Sequence, residues 1–244
     1  MKIPNTKIQE SVMASFERGS QDEMQKFADV IRVSWREQAT AFNRSVLLML
    51  TFVAAFVLLT GTELKQFAFL GFTFANTSLL QILIPPLVAY LYLDAVITTC
   101  RGDYYAEIHY LVMEKLNPKL AETGLDSFMG PRFLSVAGAG TIPKLWRALP
   151  YGPGTEIALS LMGLFAMGIA PTAFLCLAYY WLAGKYHDNP LTWVSLGLSI
   201  ILWTWAVWLW FHYGREHWQS VWSWFLREDA FIRRFWRWLL AKRQ

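Results

Sequence analysis

A chain of 244 residues has room for one domain or two small ones, and this one is 55% hydrophobic, 16% aromatic and 16% charged. A soluble domain carries about a quarter charged residues, so the composition excludes an ordinary soluble fold. The formal charge of +4 is too modest to require a nucleic-acid partner, whereas 13 Trp fit a protein whose rings sit at a membrane–water boundary.

The first 44 residues are polar and mixed in charge, with no short apolar core near Met1. They do not read as a cleavable signal peptide, so the first apolar run is expected to act as an uncleaved anchor. Ser20-Gln21-Asp22-Glu23 fits a capping box, in which the Ser20 hydroxyl accepts from a following amide and Glu23 reaches back. Met24, Phe27, Ile31 and Trp35 then recur at helical spacing. No proline or glycine separates them from the apolar run at Ser45, which predicts one helix from about Gln21 to Leu59, half of it outside the membrane. A shorter helix around Ile8 to Phe16 is expected before it.

A transmembrane helix needs about 20 mostly apolar residues. Four segments meet or approach this: Ser45 to Thr62, Ser78 to Thr99, Ile157 to Ala183 and Thr192 to Tyr213. Between the first two, aromatics alternate at Phe67, Phe69, Phe72 and Phe74. That pattern suits either a small hairpin turning near Gly71 or a longer second span, because short apolar runs are ambiguous by period alone. Pro85 and Pro86 fall inside the second span and remove two helical donors, which predicts a kink or break there. Pro171 is expected to act similarly in the third. Small residues at Ser160, Gly163, Ala166, Ala170 and Ala173 form a face that a neighbouring helix, from the same or another subunit, can approach closely.

The second span is expected to continue through Ile108, Leu111, Val112 and Lys115 until Asn117-Pro118 stops it. The Ala-Gly-Ala-Gly-Thr run at 137–141 lacks the Lys-Ser/Thr of a phosphate loop and reads as a turn. After Arg215 the tail reads as one or two amphipathic helices. Trp218, Trp222, Phe225, Ile232, Phe235 and Trp236 lie on one side, arginines on the other, and Glu228-Asp229 marks a bend.

Charge sets the orientation. Seven Lys/Arg lie in residues 1–44, six in 100–156 and seven after Tyr213, leaving only Lys65 and Lys185 of the 22 for the two short linkers. Cytoplasmic loops carry such an excess, so both termini and the middle segment are expected in the cytoplasm, most simply of a bacterial inner membrane. The expected fold class is an all-α membrane protein with four transmembrane helices. Its parts are a helical arm (1–44), two spans (45–99), a helical cytoplasmic middle segment (100–156), two more spans (157–213) and an amphipathic tail (214–244).

Chemistry is sparse. His109, His187, His212 and His217 are scattered, Cys100 and Cys176 are expected near opposite faces, and no catalytic or metal-ligating pattern stands out. No cofactor is expected, and a lipid-modifying enzyme is the least favoured reading. Two sets of residues remain as candidates. Asp94, Pro85 and Pro86 are candidate pore or gating residues, Asp94 either lining a wet vestibule or meeting a partner on another helix. Arg227, Arg233, Arg234 and Arg237 are a candidate anion-binding surface, for a nucleotide, a nucleic acid or the inner leaflet. The functional expectation is a homo-oligomeric channel or pore-forming effector, with a tetramer as the working guess, gated by a cytoplasmic anionic ligand. Small membrane effectors of bacterial antiviral defence share this architecture, though not a motif. The alternative is a non-conducting scaffold that recruits a soluble cytoplasmic partner.

Overall fold

A computed structural model describes residues 14, 20–61, 67–69, 72–74, 77–119 and 168–227. Its described elements are helix α1 (Gln21–Gly61), a hairpin of β1 (Phe67–Phe69) and β2 (Phe72–Phe74), and helices α2 (Thr77–Leu116), α3 (Ala170–Tyr186) and α4 (Pro190–Arg227).

The capping box forms at the start of α1. The Ser20 amide donates to Glu23 Oε2 at 2.8 Å and the Glu23 amide donates to Ser20 Oγ at 3.3 Å, so orphan donors of the first turn are satisfied reciprocally. The aromatic alternation resolves as the hairpin, with Phe67 opposite Phe74 and Phe69 opposite Phe72. Helix α2 ends as the sequence predicts, where the Asn117 amide donates to the Met113 carbonyl just before Pro118.

Among the described residues, three helices are long and apolar enough to cross a membrane: α1, α2 and the Pro190–His212 part of α4. The protein therefore has the character of a multi-pass membrane protein. The third expected span is described only from Gly168 onward, and its α-helical part, Ala170–Tyr186, has 17 residues. Pro171 stands near the start of the described part of α3, and the residues of its expected span before Gly168 lie outside the described ones. Two differences from the sequence expectations follow. Pro85 and Pro86 do not break α2, which runs continuously for 40 residues. No boundary separates the last span from the start of the tail, because α4 is one helix of 38 residues to Arg227. The arm at Ile8 to Phe16, the 137–141 turn and the tail beyond Arg227 lie outside the described residues.

Helices α1 and α2 pack antiparallel along their whole length. Ala28 and Ile31 meet Ile108 and Val112 at one end, Phe42 and Val46 meet Ala95 in the middle, and Leu59 joins Leu80 and Ile82 at the other. At 1.5 Å per residue each helix is about 60 Å long, twice the roughly 30 Å hydrocarbon core. About half of each therefore extends beyond the spanning region as a two-helix stalk. Helix α2 is the axis of the bundle: 72% of its most apolar stretch is buried, against 17% for α4. The outward faces carry Leu50, Val57, Leu177, Val194 and Ile201, all exposed. In lipid this is the ordinary composition of a bundle surface.

Candidate functional site

The polar side chains of the spanning region gather at two levels. The upper one lies one turn before Pro85-Pro86. Gln81 is buried, and its Nε2 donates to the Leu59 carbonyl at 2.6 Å. That carbonyl lies in the last turn of α1, where helices leave acceptors unsatisfied. Tyr186 of α3 donates its hydroxyl to Gln81 Oε1 at 2.7 Å. From α4, Ser195 Oγ donates to the Ile82 carbonyl at 2.6 Å. The Tyr179 hydroxyl lies 2.9 Å from Ser195 Oγ and 2.6 Å from Ser199 Oγ. Because the Ser195 proton faces Ile82, the order of donation is fixed: Ser199 to Tyr179, Tyr179 to Ser195, Ser195 to Ile82. All four helices thus meet at residues 81–82.

Below this, Trp203 Nε1 donates to Thr172 Oγ1 at 3.1 Å and ties α4 to the start of α3. A groove of about 300 Å³ runs between these two helices, lined by Leu175, Cys176, Leu196 and Ile200 among others. At the outer end of α3 the Lys185 ammonium lies 4.7 Å from the Trp181 ring centre and 5.4 Å from that of Tyr186. This cation–π arrangement is typical of a membrane–water boundary.

The second level is Asp94, which the sequence leaves with a choice between a vestibule and a partner. Its Oδ2 accepts from Ser45 Oγ on α1 at 2.5 Å. Asp94 and the proline pair share α2, and Pro85 is fully buried in the bundle. Of the four arginines proposed for anion binding, Arg227 is the last residue of α4; Arg233, Arg234 and Arg237 lie outside the described residues.

A third cluster, in the stalk, was not anticipated as a unit. Trp35 is 1% exposed and His109 2% exposed, with ring centres 5.6 Å apart, and Tyr110 meets Trp35 edge-on at 6.0 Å. His109 Nδ1 is buried without a hydrogen-bond partner. Burial, with the nearby Arg32 charge adding to it and Asp29 opposing, holds the imidazole below its usual pKa. Arg32 and Asp29 form an ion pair at 2.9 Å on the rim.

Sequence signals for the missed residues differ in strength. Gln81 interrupts an apolar run, and Ser195 and Ser199 have the four-residue spacing of one helical face. Tyr179 and His109 carry no such mark. Cys100 and Cys176 are both free thiols. Among the described residues, no three His, Cys, Asp or Glu side chains converge in a way that could hold a metal ion. No protein-family model, curated protein or solved structure matches the chain.

Proposed function

We propose that the protein is a homo-oligomeric assembly platform of the plasma membrane, which holds a rigid two-helix stalk in the cytoplasm for a soluble partner. The observation that carries this reading is the continuous packing of α1 on α2 over about twice the thickness of the bilayer. Four spans anchor the stalk, counting the Ile157 to Ala183 segment, and both termini are cytoplasmic by the positive-inside rule. The same asymmetry runs along the helices, since Lys26, Arg32, Arg36, Arg101 and Lys115 all fall in their stalk halves. Phe27, Val30 and Val33 leave an exposed apolar stripe along the stalk, which suits contact with another protein better than contact with water.

A channel or pore-forming effector is the second reading, possible only for an oligomer. It is favoured by one feature: the outward side of α3, with Ala173, Cys176, Leu177, Tyr180 and Gly184, is exposed and mostly apolar, a surface that another subunit can cover. Within one subunit, by contrast, Gln81, Ser195, Ser199 and Asp94 are engaged in bonds between helices. In the channel reading Arg227, Arg233, Arg234 and Arg237, repeated around an axis, receive an anionic nucleotide.

Reconstitution separates the two. Purified protein is placed in liposomes, and ion flux is measured with and without nucleotides and across a range of voltage. The platform reading expects no flux, together with capture of one defined cytoplasmic protein that Val30→Glu/Val33→Glu abolishes while the spans stay folded. Specific flux that tracks protein concentration would replace it with the channel.

A further inference from the structure

Helix α2 contains two adjacent residues that cannot donate to the helix, yet it is continuous through them. In an α-helix the amide of residue 86 bonds the carbonyl of residue 82. Pro86 has no amide hydrogen, and its ring crowds that same carbonyl. The Ile82 carbonyl is therefore the acceptor that Pro86 orphans, in a region where an unsatisfied backbone group is costly. It is also the carbonyl to which Ser195 donates at 2.6 Å. Ser195 is 5% exposed and Ser199 2%, so water does not compete freely for the site. The Tyr179 and Ser199 hydroxyls queue behind Ser195 and orient its proton toward Ile82.

We propose that Pro85-Pro86 is a joint in α2 and that Ser195 is its latch. Ser195 replaces the helical donor Pro86 lacks, holds the outer turn of α2 in line with the rest, and fixes the rotation of α4 against it. Tyr179 and Ser199 are positioning residues that keep the Ser195 hydroxyl pointed at its acceptor. When the latch is open, nothing in the ladder at residue 82 resists bending, and the long inner part of α2, with the stalk it shares with α1, can swing relative to the outer turns. This inference concerns the joint alone and holds whether the protein conducts or scaffolds.

The test is compensation. Spin labels at the exposed positions Leu79 and Tyr104 bracket the joint, and the distance distribution between them is measured by pulsed electron resonance in nanodiscs. Ser195→Ala is expected to broaden the distribution and lengthen its tails, and Ser195→Thr, which keeps a hydroxyl, to leave it narrow. The decisive variant is Pro86→Ala combined with Ser195→Ala. The amide that Pro86→Ala restores can bond the Ile82 carbonyl from within the helix, so the double variant is expected to return to the narrow distribution. If Ser195→Ala does not yield folded protein, the same comparison is read as recovery of monodisperse protein in the double variant. A Ser195→Ala distribution that matches the parent, or a double variant no better than Ser195→Ala, overturns the latch.

Discussion

The stalk and the spanning bundle are built from the same two helices, yet they are held by different forces. In the stalk, Ala28, Ile31 and Trp35 of α1 close on Ile108, His109 and Val112 of α2, and the gain comes from removing apolar surface from water, about 1.5–3 kcal/mol for a large side chain. Within the bilayer that gain vanishes, because lipid is as apolar as the helix surface. There the helices are specified by Gln81 to Leu59, Tyr186 to Gln81, Ser195 to Ile82 and Ser45 to Asp94. The difference teaches where each region is vulnerable: the stalk to lost volume, the spans to lost donors.

The largest expected effect tests the first half of that contrast. Trp35→Ala should destabilise the stalk by about 3–5 kcal/mol, the usual cost of deleting a fully buried large aromatic side chain. Limited proteolysis should then cut between Gln21 and Arg44 while the spans stay protected. Equal protection of the stalk in the variant would mean that its packing is not driven by water. Next in size is Gln81→Ala. It strands the Leu59 carbonyl and the Tyr186 hydroxyl together, at about 1–3 kcal/mol for a buried group left unpaired, though single bonds within membranes average only about 0.6 kcal/mol. Thermal melting in nanodiscs should fall, with stalk proteolysis unchanged. A Gln81→Ala protein that melts like the parent would remove hydrogen bonding as the specifying force at that level.

What could be read in the sequence divides along the same line. The capping box, the length of α1, the stop at Asn117-Pro118 and three of the four apolar spans were legible because each is a local rule, set by residues within a turn or two of one another. The hairpin was half legible: Phe67 through Phe74 allowed it, and only pairing decided it. The partner of Asp94 was not legible. Ser45 is 49 positions away in the chain, and it faces Asp94 only because α1 and α2 run antiparallel in one register. Ser195 escaped for the same reason, since its acceptor is a backbone carbonyl 113 positions away, and a carbonyl leaves no trace in side-chain pattern. His109 looked like one scattered histidine until α1 brought Trp35 against it.

His109 makes the contrast sensitive to pH, and the sign is fixed by its environment. Burial and the Arg32 charge depress the folded-state pKa below the ordinary value near 6.5. The unfolded stalk therefore binds the proton more readily than the folded one, so stability is complete above that ordinary value and declines as pH falls below it. Asp29 and Arg32 face the histidine from α1. Asp29 opposes the shift without cancelling it, and the buried Nδ1 has no acceptor waiting for an added proton. Proteolysis of the stalk should accelerate between pH 7.5 and pH 5. His109→Phe, which keeps the ring against Trp35, should flatten that dependence, and the spans should show none of it. A pH response that survives His109→Phe would move the sensor elsewhere.

The smallest effect belongs to the exposed end of α1, where neither force operates. Ser20 and Glu23 are open to solvent, and their reciprocal bonds only organise the first turn; the Glu23 carboxylate is held below its usual pKa by the Ser20 amide and hydroxyl. Ser20→Ala should raise hydrogen exchange at the Glu23 and Met24 amides and leave Trp35 packing and span stability untouched. The reason is propagation. Helix fraying at an exposed terminus stops where burial begins, and Ala28 at 3% exposed and Ile31 at 7% are the first residues of α1 to be buried against α2. If exchange instead rises past Ile31, the stalk is cooperative from its tip, and a partner that grips the capped end could act on the whole of α1.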